Sequence, residues 1–261
     1  MDLIDIGVNL SSQQFKKDLP GVIESARAAG VVGMVVTGTS LGGSRRALEI
    51  ASGAPDLWCT AGVHPHDAKT WNAETAAGIR ELCQEDDVVA VGECGLDFNR
   101  NFSTPEDQRV AYSAQLDLAA ELNLPVFLHQ RDAHEEFFAT LQAAWPTLKA
   151  GAVVHCFTDG PTEAQAYLEL GCLLGVTGWV TDKRRGEALR EAVPLIPDDR
   201  LLLETDAPYL TPQSIKPKPK SRRNEPKYMR YVAEAVAALR GQTADEVAAL
   251  STANARRFFG L

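Results

Sequence analysis

Four side chains able to bind a divalent cation, Glu93, His129, His155 and Asp206, stand at the ends of short apolar runs. The runs read VVAVGE, PVFLH, AVVH and LLLETD, and the four residues lie 36, 26 and 51 positions apart. Two imidazoles and two carboxylates suit Zn²⁺, Mn²⁺ or Fe²⁺, whereas Mg²⁺ prefers oxygen donors and retained waters. An ion held this way lowers the pKa of water toward neutrality and polarises a phosphoryl or carbonyl oxygen. Asp206, beyond three leucines, can ligate the ion, accept a proton from the attacking water, or do both. Glu204 shares its register and reads as a supporting group or half of an ion pair.

Further candidates surround these four. His64 and His66 in GVHPHD form a second strand-end pair, placed to bind or protonate a substrate oxygen. Arg131, two residues beyond His129, offers a planar donor fork for phosphate, or else pairs with Asp132. His134 falls inside the next helix and reads as a surface or capping residue.

Ligands so far apart in the chain must be brought together by the fold. Strand-like runs alternate with helical stretches throughout: eight runs, with helices expected over 16–29, 44–51, 72–84, 105–122, 133–145, 162–170 and 184–193, and two more at 226–240 and 243–259. That alternation is the pattern of parallel βα units. At 261 residues the chain suits a (β/α)₈ TIM barrel, for which about 250 residues is typical, with additional C-terminal helix. A barrel collects the C-terminal ends of its strands around one mouth, where such residues can meet on one ion. In the fourth helix Val110, Ala114, Leu118 and Leu122 recur every four positions and are expected to form one buried stripe. Pro105 after Ser103-Thr104 reads as a capped helix start. No linker or repeat divides the chain, so 1–261 is expected to be a single hydrolase domain.

Composition narrows the function. Apolar residues make up 45%, enough for a substantial core. No apolar run reaches the roughly 20 residues of a membrane span. The start, MDLIDIGVNL, is acidic where a secretory signal is basic. The five cysteines are scattered, without CxxC spacing, and most read as buried small hydrophobes in a reducing compartment. The net charge of −9 argues against a non-specific nucleic-acid coat. One local exception is a basic strip of Lys216, Lys218, Lys220, Arg222, Arg223, Lys227 and Arg230, set against the single acid Glu225. It can guide a nucleic-acid backbone, or be a solvated loop. Phe98, Phe102, Trp179 and Tyr209 fall in mouth loops and can stack on bases or pack the rim.

Taken together, DIGVNL, GVHPHD, GECGLDF, FLHQRDA, VHCFTD, TGWV, ETDAPYL and RRNEP resemble the TatD family of metal-dependent deoxyribonucleases, within the amidohydrolase-like barrels. The resemblance spans nearly the whole chain and is nearest to the TatD 3′–5′ exonuclease subgroup. It implies Glu93, His129, His155 and Asp206 as metal positions, with Asp206 also the base. Glu93 is expected to be catalytic beside it, and the residues themselves offer His64, His66, Arg131 and Arg223 as donors to the substrate. The resemblance further implies a cytoplasmic monomer without membrane association, acting on single-stranded DNA or RNA, in DNA repair or nucleic-acid degradation, with Mg²⁺ (or Mn²⁺ or Zn²⁺). One departure stands out: many members carry HxH on the first strand, where this chain has Gly7-Val8-Asn9. One well-held ion is therefore expected, with any second ion weak or brought by the substrate. Other activities hosted by such a barrel are ester or amide hydrolysis, as in an aminoacyl-tRNA deacylase, and a non-catalytic nucleic-acid adaptor.

Overall fold

Eight strands are laid down in chain order: β1 (Leu3–Val8), β2 (Val31–Val36), β3 (Leu57–Ala61), β4 (Val88–Asp97), β5 (Val126–Arg131), β6 (Ala152–Val154), β7 (Leu173–Val176) and β8 (Leu201–Leu203). The computed structural model describes all residues, Met1–Leu261. The strands form one sheet in sequential order, with parallel ladders such as β3–β4, β4–β5, β5–β6 and β7–β8. The helices are α1 (Leu19–Ala28), α2 (Leu41–Ala51), α3 (Ala73–Leu82), α4 (Pro105–Leu122), α5 (His134–Ala144), α6 (Pro161–Leu170), α7 (Glu187–Ala192), α8 (Met229–Arg240) and α9 (Ala244–Phe259). This is the (β/α)₈ barrel, with α9 as the additional C-terminal helix. The buried, near-continuous apolar strands are those of a parallel sheet covered on both faces.

Two compact units make up the chain: Met1–Val35 with Cys156–Glu169 and Leu173–Leu261, and Val36–His155 with Leu170–Cys172. In the first, the chain beyond β8 is tied back to β1. Asp206 N donates to Gly7 O at 2.9 Å, and Thr205 donates from N and Oγ1 to the Asp5 carboxyl at 2.8 and 2.5 Å. Asp5 is fully buried, and burial pushes its carboxyl up to about 8 against those bonds. Beyond Leu203, Glu204 N still bonds to Val176 O on β7 at 3.1 Å, and the next two amides turn to the Asp5 carboxyl and Gly7 O on β1. In the apolar run CLLGVTGWV the strand ends at Val176, where Thr177 caps the short 3₁₀ helix Gly178–Thr181 through Trp179 N.

The second unit holds the longest strand, β4, and the longest helix, α4. Helix α4 starts where expected: Thr104 and Asp107 form a reciprocal capping box around Pro105. Its buried face matches the expected stripe only in part: Leu118 is buried, but Val110 is not. Val110 is 53% exposed, while the residues turned inward include Gln108, Ala111, Tyr112, Gln115, Leu116 and Ala119. The reason lies in two buried glutamines seven positions apart, which make backbone-like pairs with the second unit's loops. Gln115 accepts from Val63 N at 2.7 Å and donates to Val63 O at 3.0 Å. Gln108 accepts from Asp97 N at 2.8 Å and donates to Asp97 O at 3.0 Å and to Ser103 O at 3.1 Å. A face chosen by polar pairing cannot be found from apolar spacing alone.

Gln115→Leu strips both hydrogen bonds from a buried peptide, and each orphaned group costs about 1–3 kcal/mol. Urea unfolding of this variant is expected to show a loss of at least about 2 kcal/mol, with Val110→Ala within about 0.5 kcal/mol of the parent. The reverse order would mean the helix is seated on its other face.

Candidate metal centre

Strand β4 carries the central carboxylate, and its backbone is bent to aim it. Gly92 and Gly95 have φ of +141° and +147°, and a Cβ would meet Phe127 O at 2.2 Å and His129 O at 1.9 Å respectively. No other residue type tolerates that geometry so close to the neighbouring strand. Between the two glycines the β4–β5 register slips, leaving Glu93 unpaired with β5. Its N–H donates instead to Gly38 O at 2.7 Å. Bulges of this kind re-aim a side chain.

Three imidazoles converge on one oxygen of that side chain. Glu93 Oε1 lies 2.7 Å from His155 Nε2, 2.9 Å from His129 Nδ1 and 3.3 Å from His64 Nε2. His155 follows β6, held by its N–H to Leu128 O and by its ring stacked on Phe127 at 4.5 Å. His129 belongs to β5. His64 precedes the 3₁₀ helix Pro65–Thr70, where its Nδ1 accepts from His66 N at 3.0 Å. That bond leaves the His64 proton on Nε2, facing the carboxylate.

Asp97, at the end of β4, joins the group from the far side. Its Oδ2 lies 2.7 Å from His66 Nε2 and 3.4 Å from His129 Nε2, while Oδ1 accepts from Asn99 N and Arg100 N. Sequence reading passed over Asp97. The signal was GECGLD itself: a strand that continues through a bulge brings a residue four positions on to the same mouth.

The electrostatics follow from this crowding. Burial alone would raise the Glu93 carboxyl, but His155, His64 and His129 outweigh it and hold it well below the usual carboxylate range. Burial likewise works against Asp97, and the nearby His129 and His66 imidazoles bring it far down. His64 is lowered, mainly by burial, against the pull of Glu93. His129 goes the other way: burial opposes its charge, but Asp97 and Glu93 raise it above the ordinary value. His129 Nε2 is nevertheless buried without a hydrogen bond. The carboxylates that favour a proton at this nitrogen favour a metal cation in its place. Ligand atoms of His64, Glu93 and His129 lie within 4.8 Å of one another, so a His/Glu/His cluster suited to a divalent ion is present.

The remaining candidates are placed as follows. Asp206, in the first unit, has φ of +51°, and its Oδ1 accepts from Asn9 Nδ2 at 2.9 Å. The residue standing in place of a first-strand histidine therefore holds this carboxylate. Glu204 is fully buried and accepts from Cys156 N. Arg131 Nε lies 3.7 Å from Asp132 Oδ1. Arg223 bonds to both oxygens of Asp18 at 3.0 and 2.7 Å, to Gln14 O at 2.8 Å and to Glu225 at 3.0 Å, over the Phe15 ring. Of the basic strip, Arg223, Lys227 and Arg230 are paired with acids, and Lys216, Lys218, Lys220 and Arg222 are exposed. Trp179 is buried under Arg185, whereas Phe102 and Tyr209 stand out in solvent. Four of the cysteines, Cys59, Cys83, Cys94 and Cys172, are buried, and burial pushes the Cys59 and Cys83 thiols up to about 12. No helix is long and apolar enough to cross a membrane.

A family profile described as TatD related DNase matches residues 4–260. A protein of Erwinia tasmaniensis named 3′-5′ ssDNA/RNA exonuclease TatD is 56% identical over 260 residues, covering 99% of this chain and all of that protein. A protein of the same name from Klebsiella pneumoniae is 54% identical, with 99% and 98% covered. Among solved structures, a TatD homologue from Escherichia coli K12 superposes with a TM-score of 0.90 at 29% identity, covering 99% of this chain and 98% of that one. A TatD family hydrolase of Entamoeba histolytica gives the same TM-score and coverage at 26% identity.

Glu93→Gln removes the charge on which three imidazoles converge. Calorimetric titration with Mn²⁺ is expected to show affinity reduced at least about tenfold, the lower end of what even a supporting group contributes. Unchanged affinity would exclude Glu93 from the centre.

Proposed function

Because the chain belongs to the TatD related DNase family, we propose that it is a metal-dependent 3′–5′ exonuclease of single-stranded DNA or RNA. The observation that carries this reading is the His/Glu/His cluster in a chain 56% identical, over almost its full length, to a protein with that named activity. In this reading the whole chain acts as one hydrolase domain, as a monomer in the cytoplasm, in repair or degradation of nucleic acid.

A divalent ion at the centre supplies Lewis-acid polarisation of a phosphoryl oxygen and acidification of water. Glu93, His129 and His155 would hold it, with Asp206 as a further ligand; this assignment of Asp206 rests on the family resemblance. The nitrogen donors favour Mn²⁺ or Zn²⁺ by their chemistry, while the resemblance favours Mg²⁺. Asp206 is the base that takes the proton of the attacking water, and the Asn9 amide keeps one of its oxygens oriented. His64 Nε2 and His66 donate to the phosphoryl oxygens as charge grows there, His66 being steadied by Asp97. Arg131 contacts the phosphate, swinging from its 3.7 Å approach to Asp132. Arg223 serves binding by fastening the loop whose exposed Lys216, Lys218, Lys220 and Arg222 attract the strand.

Incubation of end-labelled single-stranded DNA with Mg²⁺ or Mn²⁺, with and without chelator, tests this directly. Stepwise shortening from the 3′ end is expected, abolished by chelator and reduced at least about a hundredfold in Asp206→Asn. Intact DNA beside turnover of aminoacyl-tRNA would move the activity to carboxylic esters. Binding without turnover of either would make the chain an adaptor.

A further inference from the structure

We propose that Phe102 forms a base-stacking subsite for the unpaired terminal nucleotide, beside the metal centre; this rests on the nuclease reading above. Phe102 is 57% exposed in a protein whose other phenylalanines are largely packed away. An exposed aromatic on a mobile tip would mean little, but this one is fixed from both sides. Before it, Asn101 adopts φ of +45° and its Nδ2 donates to Phe98 O at 3.0 Å. After it, Ser103 Oγ donates to His66 O at 2.8 Å and accepts from Lys69 N at 3.0 Å, while Gln108 holds Ser103 O. Lys69 Nζ donates to the carbonyl of Phe102 itself at 3.2 Å.

The ring is thereby held 4.8 Å from the His66 ring, at 89° to it. His66 is in turn bound to Asp97, so the hydrophobic plate sits one imidazole away from the carboxylates of the centre. Three features at this spot match one ligand. A flat apolar face suits a base of any identity, because every base has a π-face. The adjacent Lys69 ammonium suits the next phosphate back along the strand. The cluster behind His66 suits the phosphodiester to be cut. A base inside a duplex is stacked on both faces and cannot lie on the ring, so the subsite favours unpaired ends.

The test compares the parent protein with Phe102→Ala and Phe102→Trp on single-stranded oligonucleotides of equal length, ending in normal nucleotides or in three abasic ones. On normal ends, Phe102→Ala is expected to raise KM about ten- to a hundredfold with kcat little changed, and Phe102→Trp to restore it. On abasic ends the parent and Phe102→Ala are expected to be alike. Fluorescence anisotropy in chelator, which needs no turnover, should show the parent preferring normal ends about tenfold or more and Phe102→Ala showing no preference. An alanine variant matching the parent on normal ends, or losing as much on abasic ends, overturns the subsite even where the protein degrades DNA. If the parent degrades neither substrate, the nuclease reading fails. An end preference dependent on Phe102 in anisotropy would still uphold the subsite, and its absence would end that too.

Discussion

A carboxylate taken out of water costs on the order of several kcal/mol unless charge and hydrogen bonds are returned to it. Glu93 is 5% exposed, and what is returned comes from His155, His129 and His64, all on one oxygen. Much of the second unit serves that convergence. The two glycines let β4 press against β5, the bulge between them turns Glu93 out of the ladder, and the strand runs on to deliver Asp97. Helix α4 contributes as a clamp: Gln115 fixes Val63, next to His64, and Gln108 fixes the peptide of Asp97. The centre is thus supported by polar pairs in places where an ordinary barrel would use only apolar packing. That arrangement sets ligand geometry more tightly than dispersion contacts do, since a hydrogen bond weakens steeply with angle.

The first unit solves a related problem by different means. Where relatives of this kind are expected to use first-strand histidines, this chain offers a glycine carbonyl and an asparagine amide, and both are bound to Asp206. Asp5 and Thr205 hold the turn that carries Asp206, and the buried Asn224, from the loop after β8, donates to Thr205 O at 2.9 Å. Gly7 and Asn9, at the end of the first strand, thus orient a carboxylate.

The strand ends were legible because a short apolar run closing on His, Glu or Asp carries its own signal, and because such runs repeat at βα spacing. The capped start of α4 was legible for the same reason: a Thr-Pro-Glu-Asp sequence has few other uses. What stayed hidden was whatever depends on polar pairing across distance. Val110 looked like core because nothing in the helix reveals that Gln108 and Gln115 have buried partners. Asp97 was missed because a bulge breaks the alternation on which strand reading relies. The partners of Arg223 were hidden in the same way, since neither Asp18 nor Gln14 is near it in sequence, yet both take its donors. Trp179 and Phe102 were indistinguishable as rim aromatics; only the fold separates one buried under Arg185 from one held out beside His66.

The central claim is that Glu93 and the imidazoles around it form the cation site. Anomalous diffraction from crystals grown with Mn²⁺ locates that ion without reference to activity. The account predicts a strong peak within coordination reach, about 2.0–2.2 Å, of Glu93 Oε1 and of His129 or His155 nitrogen. Anomalous density elsewhere in the molecule, with Glu93 still bonded only to its histidines, would contradict it.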